Sequence, residues 1–127
     1  MQHRPFSWKA RGRSFIYAFR GIKLLLASEH NAWIHSVAAV CAVVAGFVLD
    51  ISRGEWCIVA LAIAAVLAAE AFNSAIEALA DKITAEQDPL IARAKDIAAA
   101  GVLLTAIGAF AAGLIIFIPA LVKMLTD

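Results

Sequence analysis

Charged side chains are scarce in this sequence, at 17% of 127 residues, whereas soluble domains carry about 25%. Hydrophobic residues reach 63%, well above the roughly 45–50% that is usual in soluble domains. The charges lie in blocks between long apolar runs, a pattern typical of a membrane protein with several spans. This composition excludes an ordinary soluble domain, and a net charge of only +1 gives no reason to expect a nucleic-acid partner.

Cysteine is rare too, with only Cys41 and Cys57 in the chain. Both lie in or beside apolar runs, so we expect small hydrophobic residues rather than a disulfide or a metal pair. The sequence also lacks the phosphate-binding loop GxxxxGKS or GxxxxGKT and the glycine-rich motif GxGxxG. With the short length and the apolar composition, this absence excludes a soluble nucleotide-binding fold.

Three long apolar runs organise the chain, and the longest, Ile97–Val122, has 26 residues without a charge. A helix needs about 20 apolar residues to cross a bilayer. Because the runs are rich in Ala and Leu and show no alternation of period two, they predict helices rather than strands. We therefore predict one all-α membrane domain, residues 1–127. Its predicted transmembrane helices are 31–49, 55–81 and 96–122.

The segment before the first span has a different pattern. Phe15, Phe19, Ile22 and Leu26 are spaced by four, three and four residues, which places them on one helical face, while basic residues occupy the other faces. This pattern predicts an amphipathic helix over residues 5–28 that lies in the membrane interface. A basic segment beside the membrane without a docking role is the alternative.

The basic residues also predict the orientation of the spans. Six Lys and Arg residues precede the first span, and the segment between the second and third spans carries three more, whereas the turn "DISRGE" has one Arg beside two acids. Basic segments stay preferentially on the cytoplasmic side. We therefore expect the N-terminus and the second loop to be cytoplasmic, and the "DISRGE" turn and the C-terminus to face outward.

A row of polar residues follows the apolar part of the second span. Glu70, Asn73, Ser74, Glu77 and Asp81 are offset by 0, 3, 4, 7 and 11 residues, which places them on one face of one helix. Counted from the outer turn, Glu70 lies in the inner third of the bilayer, Glu77 reaches the cytoplasmic surface and Asp81 lies just beyond it. An ionisable side chain within a span is a functional candidate, because its burial is costly. Its alternative role is a structural hydrogen bond between helices.

Further polar residues are predicted at the same boundary. Glu29 lies where the interface helix meets the first span, so it and Glu77 could together hold a hard cation such as Mg²⁺ through carboxylate oxygens. The motif "ARAKDI" adds Arg93, Lys95 and Asp96 at this level. Acids, a cation site and basic residues together suit a phosphorylated substrate. His35 is expected to be a packing or interfacial residue rather than a metal ligand.

These motifs also resemble a known family. "SFIYAFRGI", "SEHNAWIH", "EAFNSAIEALAD" and "RAKDIAAA", in this order, closely resemble the prokaryotic diacylglycerol kinases, which are small integral-membrane lipid kinases with diacylglycerol and undecaprenol branches. The resemblance covers nearly the whole chain. It implies a homotrimer, each chain with three transmembrane helices and a surface helix, in the bacterial inner membrane with the active site facing the cytoplasm. It also implies ATP-dependent transfer of a phosphoryl group to a lipid hydroxyl.

The resemblance implies roles for individual residues as well. Glu70 looks like the catalytic base, Asn73 supports its geometry, and Glu29 and Glu77 look like ligands of the Mg²⁺ that accompanies ATP. The other positions similar to the family's nucleotide-contacting residues are Tyr17, Glu86, Lys95 and Asp96, beside Glu29 and Glu77. Arg11 and Arg13 lie where the family has a basic residue near the lipid, so either of them, together with Glu70, is expected to contact the lipid substrate. The local alignment is too loose to decide between the two arginines.

The acceptor lipid stays open at this level. The family as a whole favours diacylglycerol, whereas "NAWIH" looks more like the undecaprenol branch, and "EQDP", residues 86–89, departs from the enterobacterial loop near adenine. A proton or ion pathway and an accessory membrane subunit are the remote alternatives. The first conflicts with the absence of polar residues in Trp56–Ala69, and the second leaves the row of carboxylates unexplained.

Overall fold

The structure, a computed structural model, describes residues 7–83 and 86–126 of the chain. Within these residues it contains four α-helices and no β-strand. The helices are α1 (Trp8–Ser28), α2 (His30–Val48), α3 (Arg53–Ile83) and α4 (Pro89–Thr126). The predicted all-α fold class is confirmed.

Three of the helices, α2, α3 and α4, are long and apolar enough to cross a membrane, as the sequence predicted. The 19 residues of α2 rise about 28 Å, close to the thickness of about 30 Å of a hydrocarbon core. The 31 residues of α3 and the 38 residues of α4 rise about 46 Å and 57 Å. Both helices are therefore longer than the bilayer requires, and they include the polar residues on either side of the loop that connects them.

The first turn of α4 explains why this helix begins at Pro89 rather than at residue 96. Asp88 Oδ1 accepts hydrogen bonds from the backbone N–H groups of Leu90, at 2.7 Å, and Ile91, at 3.1 Å. Proline suits the first helical position, where its missing N–H would have no partner in any case. Asp88 and Pro89 thus start the helix in polar sequence, before the apolar run that marks the span.

Helix α1 begins after Ser7, whose hydroxyl accepts a hydrogen bond from the Ala10 N–H at 3.4 Å. The predicted start at residue 5 lies outside the described residues. No residue of α1 is buried, and the apolar row that includes Phe15, Phe19 and Ile22 is exposed in the single chain. The predicted helix is present, and its position in the membrane interface stays a prediction.

The turn between α2 and α3 is closed by two sets of local hydrogen bonds. At the end of α2, Asp50 adopts the left-handed conformation, with φ of 49°, and the Ile51 N–H donates to the Gly46 carbonyl at 3.2 Å. At the start of α3, the Ser52 N–H donates to Glu55 Oε2 at 2.7 Å, and the Glu55 N–H donates to the Ser52 hydroxyl at 3.3 Å. These bonds fix α2 and α3 as an antiparallel pair.

Few side chains are buried within the single chain. Ile51, Val59 and Ile116 form a small cluster near the α2–α3 turn, whereas most large apolar side chains of the three long helices are exposed. In a membrane such surfaces are covered by lipid or by other copies of the chain, and the predicted trimer stays a prediction. Cys41 and Cys57 are exposed and unpaired, so they form no disulfide with each other.

Candidate functional site at the polar face of helix α3

The polar row of α3 lies on an unbroken helix and passes from buried to exposed. Glu70 is 2% exposed and Asn73 is 9% exposed, so both are buried. Ser74 and Glu77 are half-buried, and Asp81 is exposed. The spacing in the sequence therefore placed these residues on one face, and the packing of α2 and α4 against α3 buries the end that carries Glu70.

Two neighbouring members of this face contact each other. The Asn73 side-chain amide donates a hydrogen bond from Nδ2 to Glu77 Oε1 at 3.1 Å. The amide oxygen of Asn73, Oδ1, is buried and accepts no hydrogen bond within residues 7–83 and 86–126. Asn73 thus holds the Glu77 carboxylate on one side and leaves an acceptor oxygen available for a ligand or water on the other.

The buried carboxylate of Glu70 meets a histidine from α2. His35 Nε2 lies 3.1 Å from Glu70 Oε1, and the His35 side chain is 24% exposed. The expectation that His35 is a packing or interfacial residue did not include this contact. Residue counting alone does not predict it, because His35 lies 15 residues before Asp50 at the α2–α3 turn and Glu70 lies 20 residues after it. In an antiparallel pair of helices, equal counts mean equal depth.

Glu29 lies at the junction of α1 and α2, where the backbone becomes extended, with φ of −107° and ψ of 114°. Its carboxylate is half-buried and accepts a hydrogen bond from the Ser28 hydroxyl at 3.4 Å. The junction is braced by Trp33, whose indole N–H donates to the Leu26 carbonyl at 2.9 Å. This bond gives a partner to one of the carbonyl groups that the end of α1 would otherwise leave free.

The carboxylates of Glu29 and Glu77 are oxygen ligands of the kind that a hard cation prefers, but the described residues do not form a complete metal site. No group of three or more His, Cys, Asp or Glu side chains is close enough to hold a metal ion in the described ranges. Glu29 and Glu77 are half-buried, and neither forms an ion pair with a basic side chain that the structure describes. Mg²⁺ is commonly bound through one or two carboxylates, with waters and substrate phosphates completing its shell. A Mg²⁺ site that combines Glu29 and Glu77 stays a prediction.

The α3–α4 loop and the helix ends beside it carry a second group of predicted residues. Lys95 Nζ lies 3.0 Å from Asp81 Oδ1, so the expected nucleotide contact is also an ion pair between α3 and α4. A cavity of about 670 Å³ lies beside this pair. Its lining includes Asp81, Glu86, Asp88 and Lys95. The structure thus brings Glu86 and Lys95 to one polar cavity.

The remaining predicted residues lie on exposed surfaces. Tyr17, Arg11 and Arg13 are exposed on α1, and Asp96 is exposed on α4. The Arg20 guanidinium lies over the Tyr17 ring at 5.8 Å from its centre, which is within range of a cation–π contact. Within a single chain, none of these four lines the cavity beside Lys95.

Comparison with known proteins identifies relatives over most of the chain. The family model described as prokaryotic diacylglycerol kinase matches residues 16–117. An undecaprenol kinase of Bacillus subtilis is 38% identical over 109 residues, which cover 86% of this chain and 89% of the relative. A diacylglycerol kinase of Escherichia coli K12 is 33% identical over 91 residues, covering 72% and 75%. A diacylglycerol kinase of Synechocystis is 31% identical over 113 residues, covering 88% and 65%.

Proposed function

Because this chain belongs to the prokaryotic diacylglycerol kinase family and is a lipid kinase, we propose that it transfers the γ-phosphate of ATP to the hydroxyl of a membrane lipid at the polar face of α3. The observation that carries this assignment is the burial of Glu70, at 2% exposure, on the same helix face as Asn73 and the half-buried Glu77. A buried carboxylate beside partly accessible ones suits a reaction between an apolar and an aqueous substrate.

Glu70 is the proposed base. Its carboxylate accepts the proton of the lipid hydroxyl as that oxygen forms a bond to the γ-phosphorus. The bond from the γ-phosphorus to the oxygen shared with the β-phosphate breaks, and ADP leaves with the electron pair of that bond. Asn73 supports the geometry of this face through its hydrogen bond to Glu77.

Glu29 and Glu77 are the proposed carboxylate ligands of Mg²⁺ on ATP. A bound Mg²⁺ neutralises charge on the phosphates during the transfer. Asn73 orients Glu77, and the extended backbone at the α1–α2 junction presents Glu29. Glu77 lies seven residues after Glu70 on α3, which is about 10 Å along the helix, so the proposed base is deeper than the metal ligand.

The polar cavity beside the α3–α4 loop is the proposed nucleotide region. Lys95 supplies a positive charge for the phosphates, while Glu86, Asp96 and Tyr17 are proposed as further nucleotide contacts. Glu29 and Glu77 complete this proposed set through the metal. Arg11 and Arg13 are the proposed basic residues near the lipid head group, and the exposed face of α1 allows either of them to reach it.

The proposed orientation places this face of the protein in the cytoplasm, because basic residues are concentrated in the N-terminal segment and in residues 82–95, which include the helix ends on both sides of the α3–α4 loop. A membrane protein of this bacterial family meets its lipid from the bilayer and its nucleotide from the cytoplasm. The proposed assembly is a homotrimer. The exposed apolar surfaces of α2, α3 and α4 support an assembly, while the number of subunits is taken from the family.

Two acceptor lipids are proposed, and a specific observation supports each. Diacylglycerol is the expectation from the family as a whole, and the relatives from E. coli and Synechocystis carry that name. Undecaprenol is supported by the B. subtilis relative, which is 38% identical, against 33% and 31% for those two. The sequence identities therefore favour undecaprenol, and both alcohols should be tested in the same assay.

The deciding experiment measures ATP consumption and phospholipid formation by the purified protein in detergent, with diacylglycerol, with undecaprenol and without lipid. Replacing Glu70 with Gln should lower turnover by about 100-fold or more, because a positioned base contributes about 10²–10⁴-fold. The control is Glu55→Gln, which changes a carboxylate at the opposite end of α3, where Gln also serves as a helix cap. Wild-type turnover in Glu70→Gln would exclude Glu70 as the base.

A further inference from the structure

The His35 side chain is not used in the function proposed above, yet it contacts the proposed base. His35 Nε2 on α2 lies 3.1 Å from Oε1 of Glu70 on α3, and Glu70 is 2% exposed. The neighbouring Ser36 has a local role, because its hydroxyl donates to the Ala32 carbonyl of its own helix at 2.7 Å. His35 instead crosses to α3, so α2 presents its imidazole to the only carboxylate that is fully buried among the described residues.

The contact leaves part of the carboxylate available. Glu70 Oε1 accepts no hydrogen bond from the described part of the chain, although His35 Nε2 is at ion-pair distance. The 3.1 Å separation is within hydrogen-bond range, and a carboxylate has about four lone-pair sites, so a nitrogen donor at position 35 can hold Glu70 while other sites stay available. A buried carboxylate oxygen in this state can still accept the proton of a substrate hydroxyl.

His35 also lines an apolar cavity of about 550 Å³ between α2, α3 and α4. The cavity lining extends to Leu49, just after the C-terminal end of α2, and to Leu121, near the C-terminal end of α4, and His35 is its one polar member. The imidazole thus lies between apolar space and the Glu70 carboxylate. A flexible glutamate side chain needs such a partner to keep one orientation, because a misplacement of about 1 Å can lower a rate by about 100-fold.

We propose that His35 is a positioning residue for the reaction, which holds the Glu70 carboxylate in the orientation that accepts the proton of the lipid hydroxyl. The proposal rests on the assignment of Glu70 as the base. It predicts that the rate of the chemical step depends on a nitrogen donor at position 35, whereas binding of the nucleotide does not. A packing histidine would instead be replaceable by any apolar side chain of similar size.

The kinetic test compares three variants of the full-length protein in detergent with saturating ATP, Mg²⁺ and lipid alcohol. His35→Leu should lower kcat by about 10-fold or more and leave KM for ATP within about 2-fold. His35→Gln, which retains an amide donor, should recover kcat to within about 3-fold of the wild type. Ser36→Ala is the matched control and should behave as the wild type. Wild-type kcat in His35→Leu, or equal damage in the Leu and Gln variants, would overturn the proposal.

A spectroscopic test applies even where His35→Leu fails to fold. The chain has three histidines, so the imidazole nitrogens of ¹⁵N-histidine-labelled protein can be assigned with His35→Gln. Glu70→Gln should shift the His35 signals, and Glu55→Gln should not. Unchanged His35 signals in Glu70→Gln would contradict the contact. If Glu70→Gln retains turnover, the base assignment fails; if it loses turnover while His35→Leu retains it, only the role of His35 fails.

Discussion

Lys95 Nζ on α4 lies 3.0 Å from Asp81 Oδ1 on α3, next to the loop that connects the two helices. The Asp81 side chain is 72% exposed and the Lys95 side chain 38%, so solvent screens the pair. Exposed ion pairs contribute about 0–1 kcal/mol to stability. Because the pair is weak, Lys95 can leave Asp81 and contact a nucleotide phosphate instead. Variants of Lys95 and of Asp81 therefore test this contact separately.

We predict that Lys95→Met raises KM for ATP by about 10-fold or more, because it removes a positive charge proposed to contact phosphate. Asp81→Asn breaks the same ion pair but keeps the lysine, so KM should change by less than about 3-fold, since exposed pairs contribute little. Steady-state kinetics with varied ATP measures both values. Equal increases in KM would mean that the ion pair itself matters and would contradict the phosphate contact.

The proposed metal ligands predict a specific change in the dependence on Mg²⁺. Glu29→Gln and Glu77→Gln should each raise the Mg²⁺ concentration for half-maximal activity by about 10-fold or more, because each removes an anionic oxygen ligand. Glu55→Gln, at the α2–α3 turn, should leave this concentration unchanged. A titration of activity with Mg²⁺ at fixed ATP measures the effect. If turnover falls in both variants while the Mg²⁺ dependence stays that of the wild type, the metal assignment is wrong.

The close approach of α2 to α3 predicts a change in stability. A Cβ atom at Gly46 would lie 2.7 Å from the edge of the Trp56 ring, which also packs against Phe47 with ring centres 4.8 Å apart. Overpacking of this kind costs about 1–3 kcal/mol, more than the gain of about 1 kcal/mol from alanine in a helix. Gly46→Ala should therefore lower Tm in detergent by several degrees.

The matched control is Gly54→Ala in the first turn of α3, where an added Cβ meets no atom within 4 Å. This variant should unfold at the wild-type temperature or slightly above it, because alanine has the higher helix propensity. A Gly46→Ala protein as stable as the wild type would show that Trp56 can move aside, and the packing argument would then fail.

The sequence predicted the features that depend on local periodicity. The three apolar runs located α2, α3 and α4, and the offsets from Glu70 to Asp81 placed the polar row on one helix face. Helix α4 begins seven residues before the predicted span of 96–122, because its start depends on the cap formed by Asp88 before Pro89 rather than on the apolar run. A helix can start in polar sequence wherever its first N–H groups find an acceptor.

The contacts between helices were not predictable from periodicity in the same way. The approach of His35 to Glu70 and the pairing of Lys95 with Asp81 depend on how the antiparallel helices are aligned. That alignment is set by the length of the connecting turns, and a change of one residue rotates a helix by about 100°. The structure shows these pairs, whereas the sequence placed only Glu70 and Asp81 on a helix face and gave no face for His35 or Lys95.

The bracing of the α1–α2 junction leads to a prediction that connects a structural hydrogen bond to the proposed metal ligand. The Trp33 indole N–H donates to the Leu26 carbonyl at 2.9 Å, across the break that presents Glu29. Trp33→Phe removes the donor and keeps an aromatic ring. The loss of one such bond costs about 0.5–1.5 kcal/mol, so the junction should sample more conformations.

A looser junction should weaken the contribution of Glu29, so the Mg²⁺ concentration for half-maximal activity should rise by about 3-fold in Trp33→Phe, equivalent to the loss of somewhat less than 1 kcal/mol. The control is Trp56→Phe, which replaces an indole with a smaller ring at the opposite end of the α2–α3 pair, where Trp56 packs against Phe47. It should lower Tm through lost packing and leave the Mg²⁺ dependence unchanged. Titration of activity with Mg²⁺ in both variants separates the two effects. An equal Mg²⁺ dependence in the two variants would mean that the indole bond at the junction does not position Glu29, because a general loss of stability would then account for both.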